Sequence, residues 1–268
     1  MDIYTILSDS HIFLYKDFFL KSISKVEPKA KIHTIKIDQV CDGEFYSEGW
    51  HKAMSFKIDA YIDACKNTFG KYFIWSDVDI EFYEPFIKYS LTQIGDKDII
   101  FQESHGSDVC AGFFLCKSNQ NTLNFFQQIK NRYDNHGCDQ DAINYYKSKI
   151  SYTTFKNRTI WSPLQYWSGG PLDITRNAKL AHANYVIGTQ NKMLLLIRAK
   201  KTRIESNITI DTVKIIDAYY GKCNKILIPV EIDALKQMKN LDSYRKFLYL
   251  FLKNQEVSVI SERDILDD

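Results

Sequence analysis

Short apolar runs of strand length alternate with stretches of helical period through the first half of the chain, and this alternation constrains the fold more than any other feature. Residues 3–7, 32–37, 72–75, 99–101 and 112–116 read as strands. Residues 17–26 have helical character and stop before Pro28, and residues 121–132 form another helical stretch. Between 51 and 66, Met54, Ile58, Tyr61, Ile62 and Cys65 share one helical face. Such a rhythm predicts a mostly parallel sheet with helices on its faces. Ligands of these sheets collect beyond the carboxyl ends of the strands. Three segments lie there: Ser8-Asp9-Ser10, Asp77-Val78-Asp79 and residues 104–110.

Composition narrows the possibilities. Hydrophobic residues make up 45% and charged residues 25% of 268, which suits a globular chain with a sizeable core. A net charge of +2 gives no electrostatic basis for nucleic acid as a partner. The six cysteines include no C-x-x-C pair and read as reduced thiols. The first residues lack a basic segment and a long apolar run, so they read as a strand rather than a signal peptide. No run approaches the about eighteen apolar residues that would span a bilayer. A cytoplasmic location is expected.

The second half is less regular. Residues 161–171 form an aromatic, Gly/Pro-punctuated loop, a strand leads into Ala181-His182-Ala183-Asn184, and residues 191–198 suit a helix. Short β-branched segments follow. In the tail, Leu235, Met238, Leu241, Tyr244, Leu248 and Phe251 trace an apolar stripe among lysines and arginines. That stripe packs on the preceding domain or makes peripheral contact with a membrane. The expected organisation is one catalytic domain over residues 1–200 and an extension over 201–268.

The sharpest local feature is an apolar strand, residues 72–75, running into Asp77 and Asp79. In extended chain, acids at i and i+2 fall on one face. Paired carboxylates repel unless a cation lies between them, an arrangement suited to Mg²⁺ or Mn²⁺ shared with phosphate oxygens. Alone, the triplet also fits a polar strand-to-turn junction.

With its context, Phe73-Ile74-Trp75-Ser76-Asp77-Val78-Asp79 followed by Pro85 resembles the D-x-D segment of the nucleotide-diphospho-sugar transferase family. That family is similar in turn to the retaining galactosyltransferases of the glycogenin and lipopolysaccharide type. Three further segments resemble family motifs in the same order. Ala111-Gly112-Phe113-Phe114-Leu115 resembles the strand lining the donor sugar. Asp139-Gln140-Asp141-Ala142-Ile143-Asn144 is similar to the helix start beneath the sugar ring. His182-Ala183-Asn184-Tyr185 with Gly188 and Lys192 resembles the segment that closes the site.

The resemblance implies a GT-A-type α/β fold, a nucleotide-diphosphate sugar donor (UDP being the expected nucleotide) and a glycan, lipid or protein acceptor. It implies transfer with retention of anomeric configuration. It assigns Asp77, Asp79 and His182 to a cation, Mn²⁺ or Mg²⁺, with the imidazole favouring Mn²⁺. Lys192 is implied to reach a phosphate, and Thr5, Ser8 and Lys57 to contact nucleoside and diphosphate. Ala111 and Gly112 are implied to line the sugar, with Asp139 on its hydroxyls and Gln140 near the anomeric carbon. Cys110 departs from the family's usual polar residue, which leaves the donor sugar open. Simpler roles stand beside these: strand-end hydroxyls for Thr5 and Ser8, exposed helical lysine for Lys57, N-cap for Asp139, core histidine for His182 and solvated lysine for Lys192. Trp161, Tyr166 and Trp167 are expected as stacking platforms for the acceptor. The competing functions are a D-x-D phosphatase, disfavoured by Glu81 two residues after the second acid, and an inactive sugar-nucleotide-binding module. Oligomeric state is not indicated by the sequence.

Overall fold

Six strands form the central sheet in the order β2-β1-β3-β6-β5-β7. The computed structural model describes residues 1–38, 48–104, 107–133, 138–155, 159–162, 178–184, 188–189, 192–193, 195–197 and 199–200. β1 (Asp2–Leu7) runs parallel to β2 (Lys31–Lys36) and to β3 (Tyr72–Ser76). β6 (Val109–Lys117) is antiparallel to β3 and to β5 (Ile99–Glu103), and β7 (Tyr152–Thr154) lies parallel to β5. One reversed strand therefore sits in an otherwise parallel sheet. A three-stranded sheet of β4 (Ile80–Phe82), β9 (Leu180–His182) and β8 (Ile160–Trp161) stands beside it.

Helices cover both faces. α2 (Glu48–Asn67), α4 (Gln120–Arg132) and α5 (Asp139–Tyr146) pack with Tyr4, Phe73, Trp75, Phe101 and Phe114. On the other face, α1 (Lys21–Val26), the π-helical turn Leu14–Leu20 before it and β4 meet Ile3, Ile74, Phe113 and Leu115. The alternation along β3 and β6 is the side-chain period of a strand buried on both sides, and eight consecutive residues of β6 are buried. The wide turn at 14–20 places Leu14 and Phe19, five residues apart, in the core together.

The expected strands and helices of the first half are present, several of them one to four residues longer. Not anticipated were β4, α3 (Ile87–Ile94), β7 and β8. α3 has no side-chain cap of its own; the amides of Phe86 and Ile87 donate to Glu27 Oε1 at 2.7 and 2.8 Å. A partner about sixty residues upstream leaves no local start signal. The described residues within 189–200 are helical, as expected for 191–198. Segment 201–268, with its basic apolar stripe, lies outside the described residues. No helix among the described residues is long and apolar enough to cross a membrane.

The aromatic core is centred on Phe114, whose ring centroid lies 5.3 Å from Tyr61, 5.4 Å from Phe101 and 5.9 Å from Phe126. Phe114→Ala is expected to lower stability by about 3–5 kcal/mol in urea unfolding, the usual cost of emptying a large buried site. A loss below about 1 kcal/mol would show that this cluster does not anchor the sheet.

Candidate active site

The acids emerge where β3 ends. Beyond Ser76 the chain leaves the ladder, Asp77 N donates to Gly112 O at 2.8 Å, and the strand resumes as β4 after Asp79. Asp77 and Asp79 thus flank a kink. β4 pairs antiparallel with β9, setting Ile80 opposite His182, and Ala183 N donates to Asp79 O at 2.9 Å. This ladder carries His182 to the acids across about a hundred residues. Ligand atoms of Asp77, Asp79 and His182 lie within 4.8 Å of one another.

Opposing charges surround the acids. Lys57, buried on α2, reaches Asp77 Oδ2 at 2.8 Å and Asp139 Oδ2 at 3.1 Å. Lys192 Nζ lies 2.7 Å from Asp79 Oδ2, and His182 Nε2 lies 3.3 Å from Asp79 Oδ1. Trp75 Nε1 donates to Asp77 Oδ1 at 3.1 Å, and Tyr61 Oη donates to Asp139 Oδ2 at 2.6 Å. Burial favours the neutral acid at Asp79, but Lys192 and His182 override it and hold the carboxyl well below its usual range. At Asp77 burial, helped by Asp79, outweighs Lys57 and raises the pKa. Burial would lower the pKa of His182, yet Asp79 overrides it and raises the value to about 10.

These residues fit a divalent cation. Asp79 Oδ1 is buried and makes no hydrogen bond. A Cβ on Gly112 would stand 2.9 Å from His182 Nε2 and 3.0 Å from Asp77 Oδ2, so only glycine leaves the space between them. Two carboxylates and one imidazole suit Mn²⁺ better than Mg²⁺, which prefers oxygen donors.

The sugar-side residues gather at the same end. α5 begins with Cys138 as its N-cap, and Asp139 is the buried first helical residue, which corrects the N-cap role considered for Asp139. Gln140 Oε1 accepts from Ala111 N at 3.3 Å. Lys57 is buried rather than an exposed helical lysine, because it bridges two acids. Thr5 is fully buried in β1, its hydroxyl donating to Ile6 O at 3.3 Å, as a strand hydroxyl does. Ser8 lies at the end of β1, its hydroxyl 3.2 Å from His11 Nδ1. Trp161 is 1% exposed in β8, so it is core and not a platform. Tyr166 and Trp167 lie outside the described residues.

Three neighbours of the site were not singled out by sequence. Gln102, at the end of β5, has Oε1 2.8 Å from His182 Nδ1. Tyr61 shares the α2 face from which Lys57 reaches the acids. His11 feels both Lys192 and Asp79, and burial, reinforced by Lys192, lowers its pKa to about 4. The alternation of β5 placed Gln102 on a buried strand, but only its partner reveals its use. For His11, position after the first strand was the available signal.

The fold and the site together define a class: α/β proteins that gather a cluster of acids and a histidine beyond the carboxyl ends of a mostly parallel sheet. The sequence profile of the nucleotide-diphospho-sugar transferase family matches residues 17–196, more than half of the chain. The protein belongs to that family. No curated protein sequence matches it. Among solved structures it is similar to the glycosyltransferase GlyE of Streptococcus pneumoniae TIGR4, at 11% identity and a TM-score of 0.49, covering 70% of this chain and 58% of that one. The galactosyltransferase LgtC, solved with donor and acceptor sugar analogues, is 12% identical with a TM-score of 0.46, covering 69% and 87%. A glycosyltransferase involved in glycosylation of the PBCV-1 major capsid is 11% identical with a TM-score of 0.49, covering 71% and 95%. The chain thus spans little more than half the length of the GlyE structure.

Two outcomes follow from this geometry. Gly112→Ala is expected to weaken Mn²⁺ binding by at least about tenfold in calorimetric titration, roughly 1.4 kcal/mol. Unchanged affinity would move the cation elsewhere. Folding holds His11 neutral with a pKa near 4, whereas the unfolded chain titrates near 6.5. Acid therefore favours the unfolded state progressively from about pH 6.5 down to about 4. His11→Gln is expected to flatten the stability–pH curve in that window, and an identical acid limb would contradict it.

Proposed function

We propose that this protein is a metal-dependent glycosyltransferase that moves a sugar from a nucleotide-diphosphate donor, UDP-linked by expectation, to a glycan, lipid or protein acceptor with retention of configuration. The observation that carries the proposal is the convergence of Asp77, Asp79 and His182 around Gly112 in a member of this family. Those three side chains would hold Mn²⁺, or Mg²⁺. When bound, the cation would offset the charge building on the leaving diphosphate.

The chain's own residues do the rest. Lys192, within ion-pair distance of Asp79, is placed to share its charge with a phosphate. Ser8, just after β1, and Thr5, within the strand, would lie on the nucleoside and diphosphate side. Lys57 bridges Asp77 and Asp139 and so would hold the two carboxyl groups close together. The backbone of Ala111 and Gly112 would pass beneath the sugar, where the small residues permit close approach. Asp139, with Tyr61 and Lys57 on its Oδ2, would offer its other oxygen to sugar hydroxyls. Gln140 would stand near the anomeric carbon, which passes through an oxocarbenium-like state as in glycoside cleavage. With retention, the acceptor hydroxyl attacks on the leaving-group face and its proton passes to the departing phosphate oxygen. Bringing donor and acceptor into register supplies much of the remaining rate. Location at the cytoplasmic side of a membrane, through the segment after residue 200, is part of the same proposal.

The test incubates the protein with Mn²⁺ and a panel of nucleotide sugars, following donor hydrolysis and thermal stabilisation. One nucleotide is expected to stabilise the fold only with metal. Asp79→Ala should fold, yet lose donor turnover by at least about a hundredfold, given several kcal/mol of cation stabilisation. Full turnover in that variant would rule out the site. Nucleotide binding with no turnover on any donor would favour the inactive binding module.

A further inference from the structure

We infer that Gln102 is a positioning residue for the metal site: its side-chain carbonyl accepts from His182 Nδ1 and keeps the proton there, so that Nε2, on the side of Asp77 and Asp79, is the nitrogen that gives up its proton when a cation binds. The inference rests on the metal-dependent reading above and assigns a role to a residue outside the family motifs in this sequence.

An imidazole binds a cation through one nitrogen only when that nitrogen carries no proton, so the proton must reside on the other. What the second nitrogen touches decides the tautomer. Here the second nitrogen is Nδ1, 2.8 Å from Gln102 Oε1. Its other polar neighbour, Cys110 Sγ, is 4.0 Å away and a weak acceptor. Nε2 turns to the acids, 3.3 Å from Asp79 Oδ1. Gln102 is fully buried, so water does not compete for Nδ1.

The sheet explains how Gln102 arrives there. β5 and β6 pair in simple register to Phe101 and Phe114, and then the register jumps, with Gln102 opposite Cys110. Residues 111–113 of β6 are bypassed at that point. The bypass bends Ala111 and Gly112 toward Asp77, whose amide donates to Gly112 O. Beside the bend, the end of β5 delivers Gln102 to the ring from the side opposite the acids. One irregularity thus shapes both flanks of the histidine.

The amide is oriented by the histidine alone among the described residues. Its Nε2 is buried without a hydrogen-bond partner. A polar atom left so in a fully buried side chain is costly, and the compensating contact is the carbonyl on Nδ1. Rotating the amide by half a turn would set NH₂ against Nδ1, move the ring proton to Nε2 and aim it at the cation position. The cation and the carbonyl orientation therefore favour each other.

The experiment titrates Mn²⁺ into wild type, Gln102→Glu and Gln102→Met at one fixed pH, with free Mn²⁺ read by electron paramagnetic resonance and each metal-free melting temperature recorded. Gln102→Met keeps shape and loses the acceptor; it is expected to bind Mn²⁺ about 10–100-fold more weakly, the usual effect of losing such a partner, while melting close to wild type. Gln102→Glu keeps an acceptor on Nδ1 and is expected to retain affinity within about threefold or to gain it. Wild-type affinity in Gln102→Met, or equal losses in both variants, would overturn the inference and leave the metal site standing. No binding by wild type would remove the metal reading itself. Should Gln102→Met not fold, the imidazole ¹⁵N shifts of wild type loaded with Zn²⁺ decide: a protonated Nδ1 supports the assignment, and metal on Nδ1 ends it.

Discussion

Buried like charges are the constraint on which the rest of the structure depends. Asp77, Asp79 and Asp139 stand close together, Asp79 and Asp139 buried and Asp77 partly so, and carboxylates in that position repel one another. The chain answers with cations from two distant regions: Lys57 from α2, and the imidazole of β9 with Lys192 from the stretch that follows it. Each balances a different pair or oxygen, so the cluster is held in place from both the α2 side and the β9 side. A structure that must bring three carboxyl groups so close to one another has few alternative arrangements of those elements.

The same logic extends outward along β4. Glu81, two residues beyond Asp79, is buried as well, and Lys200 lies 2.7 Å from its Oε1. Burial raises the pKa of Glu81 against that lysine. Asp79, just before β4, and Glu81, within it, therefore each meet a lysine from the stretch of 188–200. That stretch is tied to the site by charge at two points, in addition to the β4–β9 ladder.

Much of this was legible in the sequence because the signals were local. The strand before Asp77, the helix face of Met54 to Cys65 and the stretch from Ala181 are read from nearest neighbours, and all three fall where expected. The convergence of Asp77, Asp79 and His182 was legible only through the ordered resemblance of four segments, since spacing alone does not bring residue 182 to residue 79. What escaped was non-local. α3 takes its cap from Glu27, and Gln102 and Tyr61 acquire meaning only through partners far along the chain. Trp161 misled because an aromatic beside a Gly/Pro-rich loop looks the same whether it lines a groove or fills a core, and here β8 buries it.

The bypassed residues of β6 carry one more consequence. Ala111 N–H donates not to a neighbouring strand but to the side chain of Gln140 on α5, at 3.3 Å. A residue proposed for the chemistry therefore also completes a backbone bond that the sheet gave up. Deuterium uptake at that single amide registers how firmly the first turn of α5 is seated. A sugar drawn against Gln140 would be felt there as a change in exchange rate, making the backbone its own indicator of donor occupancy.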